Sequence, residues 1–151
     1  MATTWEYKLK NHDDLPKFAD LKEEDKIKFK CNSMIIVHPM EVYEMMMGVP
    51  KGKLLTVSKM REVFAKKHNA ECACPFTTGI FVGIAAKASL EMGEELPYHR
   101  TLKKDGEINP KLPGFPDEHI ALLEAEGFEI YTKGRKNLRY FVKDYEKYLI
   151  D

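Results

Sequence analysis

The sequence predicts an α+β, mainly helical domain with an N-terminal arm and a C-terminal β-hairpin. Three observations carry that expectation. Apolar residues recur at three- and four-residue spacing, as Met60, Val63 and Phe64 and again as Phe81, Ile84, Ala85 and Ala88, which is the stripe of an amphipathic helix. Near the C-terminus, Phe128 to Tyr131 and Leu138 to Val142 flank Lys133-Gly134-Arg135 as two strands flank a turn. Residues 6–30, by contrast, hold seven acids and seven bases around Pro16 with few apolar positions, the composition of a solvated arm or small irregular subdomain. The implied division is an arm over 1–33, a main domain over 34–130 and a hairpin extension over 131–151.

Each element has a local cause. Met34 to Val37 is a β-branched run fit for a short strand, and Pro39 suits the first turn of a helix carrying Met40, Val42, Tyr43, Met46 and Met47. Gly48 and Pro50 end that helix. Thr56 or Ser58 can cap the next, which His68-Asn69 closes. A polar connector, Ala70 to Pro75, leads to Thr77 or Thr78 as the cap of the Phe81–Ala88 helix. Two helices joined this way suggest a helix-turn-helix. After the Pro/Gly-rich loop Asn109 to Pro116, Asp117 and Glu118 suit the positive end of a further helix that Gly127 stops.

A chain of 151 residues, 44% of them hydrophobic, is long enough for one core and too short for two. Lys and Arg number 24 and Asp and Glu 24, so overall charge selects neither nucleic acid nor membrane. No apolar run reaches the ~20 residues of a bilayer span, and the N-terminus lacks the apolar core of a secretory signal, so the expected location is the cytosol. Three cysteines, Cys31, Cys72 and Cys74, fit reduced thiols better than a disulfide framework. His68, Cys72 and Cys74 lack the fourth ligand of a closed zinc site and read as connector residues. No metal or cofactor is expected.

The stretch ELPYHRTLKKDG sets Tyr98 between a proline and a His-Arg pair. Taken in order, VPKGKLLTVSKM, FVGIAAKAS, LPYHRTLKKDGEI and ALLEAEGFEI resemble the C-terminal domain of the methylated-DNA–protein cysteine methyltransferases and their alkyltransferase-like relatives, over roughly residues 39–130. That resemblance implies a winged helix-turn-helix that enters the DNA minor groove and flips an alkylated guanine into a pocket. In the family the tetrapeptide is Pro-Cys-His-Arg, where a thiolate takes the alkyl group, a histidine draws off its proton and a glutamate orients the histidine. By residue-wise match these positions are Tyr98, His99, Arg100 and Glu126. A phenol with an ordinary pKa near ~10 is a poor nucleophile toward an alkyl ether. No catalysis is expected, as in the alkyltransferase-like proteins, which also lack the cysteine.

Two further positions depart from the family pattern. Its base-replacing arginine, in Arg-Ala-Val-Gly, matches Ile80, and its phosphate-turning tyrosine matches Val57. An isoleucine can intercalate as an apolar wedge, though it cannot hydrogen-bond the orphaned base. The resemblance points to double-stranded DNA as partner through Lys51, Lys53, Val57, Lys59, Arg61, Thr78, Ile80, Phe81, Gly83 and Lys87, and to pocket walls from Met92, Pro97, Tyr98, Lys111, Gly114 and Phe115. A repair protein would receive the lesion. Residues 51–67 support this with six bases against one acid, a patch suited to salt-sensitive phosphate contact. The Glu91, Glu94 and Glu95 cluster opposes it. The alternative is a repurposed winged-helix scaffold that binds a protein or small molecule in the old pocket.

Overall fold

A computed structural model describes residues 4–150. Helix α1 (Trp5–Lys10) opens the described chain, with Thr4 Oγ1 accepting the Tyr7 N–H at its N-terminus. Strand β1 (Lys17–Asp20) runs antiparallel to β2 (Ser33–Ile36), and α2 (Glu23–Phe29) bridges them without burying a residue. The charge-dense segment therefore behaves in two ways. Its α2 is solvated as the composition suggests, whereas α1 packs on the core and buries Leu9 completely.

Helix α3 (Pro39–Met47) starts at His38, whose ring accepts the Met40 N–H while Glu41 accepts the His38 N–H. This reciprocal cap fixes the start where Pro39 predicts it. Strand β3 (Leu55–Thr56) leads directly into α4 (Val57–Lys67), with Thr56 Oγ1 accepting the Lys59 N–H, so Thr56 rather than Ser58 is the cap. Helix α5 (Pro75–Met92) begins ahead of the expected Thr77 or Thr78, because Pro75 occupies its first turn and Cys74 its N-cap. Inside the expected polar connector lies a two-residue strand, β4 (Cys72–Ala73).

That strand decides the state of the cysteines. β4 pairs in parallel with β2, Met34 opposite Cys72 and Ile35 opposite Ala73, which brings Cys72 to Cys31 at the entrance of β2. The two form a disulfide with Cα atoms 6.6 Å apart, and Cys74 remains a free thiol. The expectation of reduced thiols is thus corrected for two of the three cysteines. The cause is strand pairing across 41 positions of sequence, which no local spacing reveals. In the chain-entropy account, closing a loop of that length stabilises the fold by roughly 2–4 kcal/mol. Urea unfolding with and without a thiol reductant is expected to differ by that amount, and coincident curves would exclude a stabilising bond.

Strand β5 (Thr101–Leu102) runs parallel to β3, α6 (Asp117–Ala125) follows the Pro/Gly loop, and β6 (Ile130–Lys133) pairs antiparallel with β7 (Arg139–Val142) as the predicted hairpin. Burial falls into two clusters. The larger packs α1, α3, α4 and α5 through residues such as Val42, Met46, Met60, Phe64, Val82 and Ala85. The smaller joins Leu54, Leu102, Ile108, Leu123, Phe128 and Val142, seating α6 and the hairpin on the short β3–β5 sheet. No helix is long and apolar enough to cross a membrane among the described residues.

Candidate nucleic-acid interface

Helix α5 carries large apolar side chains on two faces, which a surface helix ordinarily does not. One face, with Phe81, Val82, Ala85 and Ala88, is core. The other carries Phe76, Ile80 and Leu90, exposed by 62%, 60% and 56%. Gly79 and Gly83 lie on that outer side, and a Cβ at either would meet nothing within 4 Å. Packing does not require these glycines, although each costs about 1 kcal/mol of helix stability relative to alanine. They leave bare backbone beside exposed Ile80, while the Phe76 ring meets Phe29 of α2 edge-on, 5.9 Å between centroids.

The cations expected to contact phosphate are spread over several elements. Lys51 and Lys53 are exposed in the turn before β3 and enter no ion pair among the described residues. Lys59 is partly exposed on α4, and Val57 packs partly against the main core. Arg61 Nε donates to the Ala73 carbonyl at 3.0 Å, so this arginine also fastens α4 to β4, beside an open cleft of 700 Å³ that Ser58 and Lys66 share. Lys87 lies with its ammonium 4.5 Å from the centroid of the Trp5 ring. Thr78 and Phe81 sit on the inner face of α5, nearly fully buried, with Thr78 Oγ1 donating to the Cys74 carbonyl. Glu91, one of the three opposing acids, accepts the Trp5 and Glu6 N–H groups and so caps α1.

At the far end of α5, Gly93 takes the left-handed conformation that stops the helix. The chain then drops through buried Leu96 into a single tight turn, Tyr98–Arg100, before β5. Glu126, immediately after α6, is the hub on which this turn is anchored. It accepts the Gly52 N–H at 3.0 Å, the Arg100 Nε–H at 3.0 Å and the His99 Nε2–H at 2.5 Å. Arg100 also donates to the Val49 carbonyl at 2.8 Å. Burial pushes the Glu126 carboxyl upward, but the Gly52 N–H, His99 and Arg100 outweigh it and hold the group below the usual carboxylate range. Burial also holds His99 below its ordinary value despite the carboxylate, so near neutrality a neutral imidazole donates to an ionised Glu126.

Tyr98 precedes this cluster and is partly buried, its ring 5.6 Å from that of His119. Burial, then the Glu118 charge, pushes its phenol up from the ordinary value, which keeps it protonated and weakly nucleophilic. His119 is itself buried, donates from Nε2 to the Pro113 carbonyl at 2.7 Å, and is held below its ordinary pKa chiefly by burial. Against the cluster opens a groove of 570 Å³ whose walls include Met47, Leu90, Glu94, Pro97, Tyr98 and Leu122. Of the pocket walls expected from sequence, Pro97 and Tyr98 line this groove. Met92 packs partly against the main core, Phe115 packs its ring against Tyr140 in the smaller cluster, and Lys111 is exposed. A Cβ at Gly114 would strike the Glu118 carboxylate, and the glycine sits at φ +81°, so that loop closes on glycine.

Compared with solved structures, the chain superposes on S. pombe Atl1 in complex with damaged DNA containing O6-carboxymethylguanine, with a TM-score of 0.52 at 20% identity. The alignment covers 75% of this chain and 94% of that one. A second structure, S. pombe ATL in complex with DNA, gives a TM-score of 0.54 at 20% identity with the same coverage. The chain shares the Atl1 fold. No family model and no curated protein matches the sequence.

With the Atl1 fold in place, the α+β, mainly helical class predicted from sequence stands. Sequence reasoning did not find three members of the site: the Gly52 N–H and the Val49 carbonyl, which hold Glu126 and Arg100, and the His119 ring against Tyr98. The first two are backbone groups, which carry no residue-type signal. His119 did carry one, as a histidine inside an apolar helical stripe.

Proposed function

We propose that this chain is a non-catalytic, alkyltransferase-like DNA-binding protein that recognises alkylated guanine in double-stranded DNA without transferring the alkyl group. One observation carries the reading: a protonated, half-buried phenol stands beside an intact His99–Glu126 pair, on the fold of a protein solved with O6-carboxymethylguanine DNA. The base and its orienting carboxylate have no thiol to serve. In this reading the outer face of α5 enters the minor groove, with Ile80 as an apolar wedge and Gly79 and Gly83 allowing close approach. Lys51, Lys53 and Lys59 meet phosphates, and Arg61 both braces β4 and borders the backbone. The handing of the lesion to a repair protein belongs to the same reading.

Fluorescence anisotropy with duplexes holding guanine or O6-methylguanine tests it. The expected result is micromolar or tighter binding, stronger for the lesion, that weakens as salt rises because bound cations displace counterions. Intact-mass measurement after incubation is expected to show no added alkyl group. Absence of binding at low salt removes the proposal, and a mass gain of one alkyl group removes its non-catalytic part.

A second reading has one observation in its favour. The groove beside Tyr98 has Met47, Leu90, Leu96 and Leu122 as apolar walls and the Glu94 and Glu95 carboxylates among its lining residues, which suits a small organic molecule better than a phosphate. In that case such a ligand would bind and DNA would not compete with it.

A further inference from the structure

The β6–β7 hairpin carries Lys133, Arg135, Lys136 and Arg139 between Ile130 and Val142 and not one acid, in a chain whose acids and bases balance at 24 each. Every residue from 131 to 139 is exposed. A soluble edge strand is usually charged too, but charges chosen only for solubility are interspersed in sign. Here they are not. Arg139 is largely neutralised, because it donates two hydrogen bonds to the Glu107 carboxylate. Lys133 is held over aromatic rings, its ammonium 4.7 Å from the centroid of Phe141, which is stacked on Tyr131 with 5.4 Å between centroids. Arg135 and Lys136, at the turn, make no ion pair among the described residues.

The hairpin is also rigidly placed relative to the basic turn before β3. The Ile108 N–H donates to the Tyr140 carbonyl at 2.8 Å, which fixes β7 to the segment after β5. Beyond β7 the chain returns to Leu54, whose N–H donates to the Tyr148 carbonyl at 2.7 Å and whose carbonyl accepts the Ile150 N–H at 3.0 Å. Leu54 directly follows Lys53, and Lys51 lies three residues ahead of it. Both basic surfaces therefore hang on one strand end, with little freedom between them. The turn itself is tight: a Cβ at Gly134 would meet the Asn137 carbonyl oxygen at 2.5 Å.

We infer that the hairpin is a second DNA contact that holds the phosphate backbone through Lys133, Arg135 and Lys136, flanking the segment that α5 enters. The occupant is duplex DNA, since three cations with no acid among them, on a ribbon hydrogen-bonded to the rest of the fold, complement a line of phosphates, and the hairpin's exposed apolar side chains, Tyr131 and Leu138, are too few for the core of a protein interface. The inference rests on the DNA-binding reading of the chain.

The test uses the full chain with Lys133→Glu, Arg135→Glu and Lys136→Glu combined, beside a control of equal charge change on exposed lysines of the N-terminal segment, Lys10→Glu, Lys17→Glu and Lys22→Glu. Duplex affinity is measured by anisotropy across a salt series. The hairpin variant is expected to lose about tenfold or more at low salt and to flatten the slope of log K against log salt by about 2–3, while the control stays within about threefold. Unchanged affinity and slope in the hairpin variant overturn the inference alone. An equal loss in the control also overturns it, by assigning the effect to net charge. Failure of the unsubstituted chain to bind any duplex overturns the DNA-binding reading and this inference with it. All six positions are exposed and only Lys133 gives up a ring contact, so thermal melts of both variants are expected to stay within about 4 °C of the parent.

Discussion

Glu126→Ala is expected to destabilise the protein by about 3–5 kcal/mol, because it strips the partner from two cations or donors that stay buried. The Glu126 side chain is only 6% exposed and Arg100 only 16%, so water cannot take over the carboxylate's role. Two long-range connections end on this residue, to the turn before β3 through Gly52 and to the Tyr98–Arg100 turn through His99 and Arg100, and Arg100 extends the network to the Val49 carbonyl just after α3. Glu126→Gln keeps the shape and one acceptor and is expected to cost roughly half as much. Thermal melting reads the difference, at about 2–4 °C per kcal/mol for a chain of this size. A melting point within about 2 °C of the parent for Glu126→Ala would show that the cluster is not a structural hub.

The same cluster fixes the direction of the pH dependence. His99, Glu126, Glu41 and Glu107 all bind protons less readily in the folded chain than in the unfolded one. Depressed folded values mean stability that is fully present above the unfolded pKa and lost as pH falls. The loss begins below about pH 6.5, where the unfolded chain's histidine takes up its proton, and steepens below about pH 4.3 as the carboxylates follow. Denaturant midpoints from pH 7 down to pH 3 should fall throughout, and Glu126→Gln should flatten the lower part of the curve. A midpoint that rises on acidification would contradict the arrangement.

Ile80→Asp is expected to weaken duplex binding by about tenfold to a hundredfold while leaving the fold unchanged. The isoleucine is 60% exposed on α5, and surface substitutions away from special features usually change stability within about 0.5 kcal/mol. Its loss is felt only if that face meets DNA, where an apolar wedge offsets a few kcal/mol of unstacking and a carboxylate is repelled by phosphates. Phe18→Asp is the matching control, since Phe18 is 57% exposed on β1, whose strand partner is β2. Equal affinities for the two variants would take α5 out of the interface. A shared drop in melting temperature would redirect the explanation to folding.

The bond from His99 to Glu126 joins a network that also holds the β3 turn and the segment after α3, so its removal has a structural cost independent of chemistry. Its presence alone is not a sign of activity.

By itself the sequence determined the helices with local start signals, and it did so through short-range physics. Pro39, Thr56 and Asp117 mark α3, α4 and α6 because caps and first-turn residues act within a few positions, and the hairpin follows from two β-rich runs around a glycine turn. Motif order placed Tyr98, His99, Arg100 and Glu126 as one group. Tertiary structure alone decided the rest. Cys31 joins Cys72 only because β2 and β4 pair in parallel; α1 becomes core only because α5 offers it a face; Glu126 is a hub only because backbone groups at Gly52 and Val49 arrive beside it and Arg100. Those contacts join segments tens of residues apart through groups every residue possesses, so no residue type or spacing announces them.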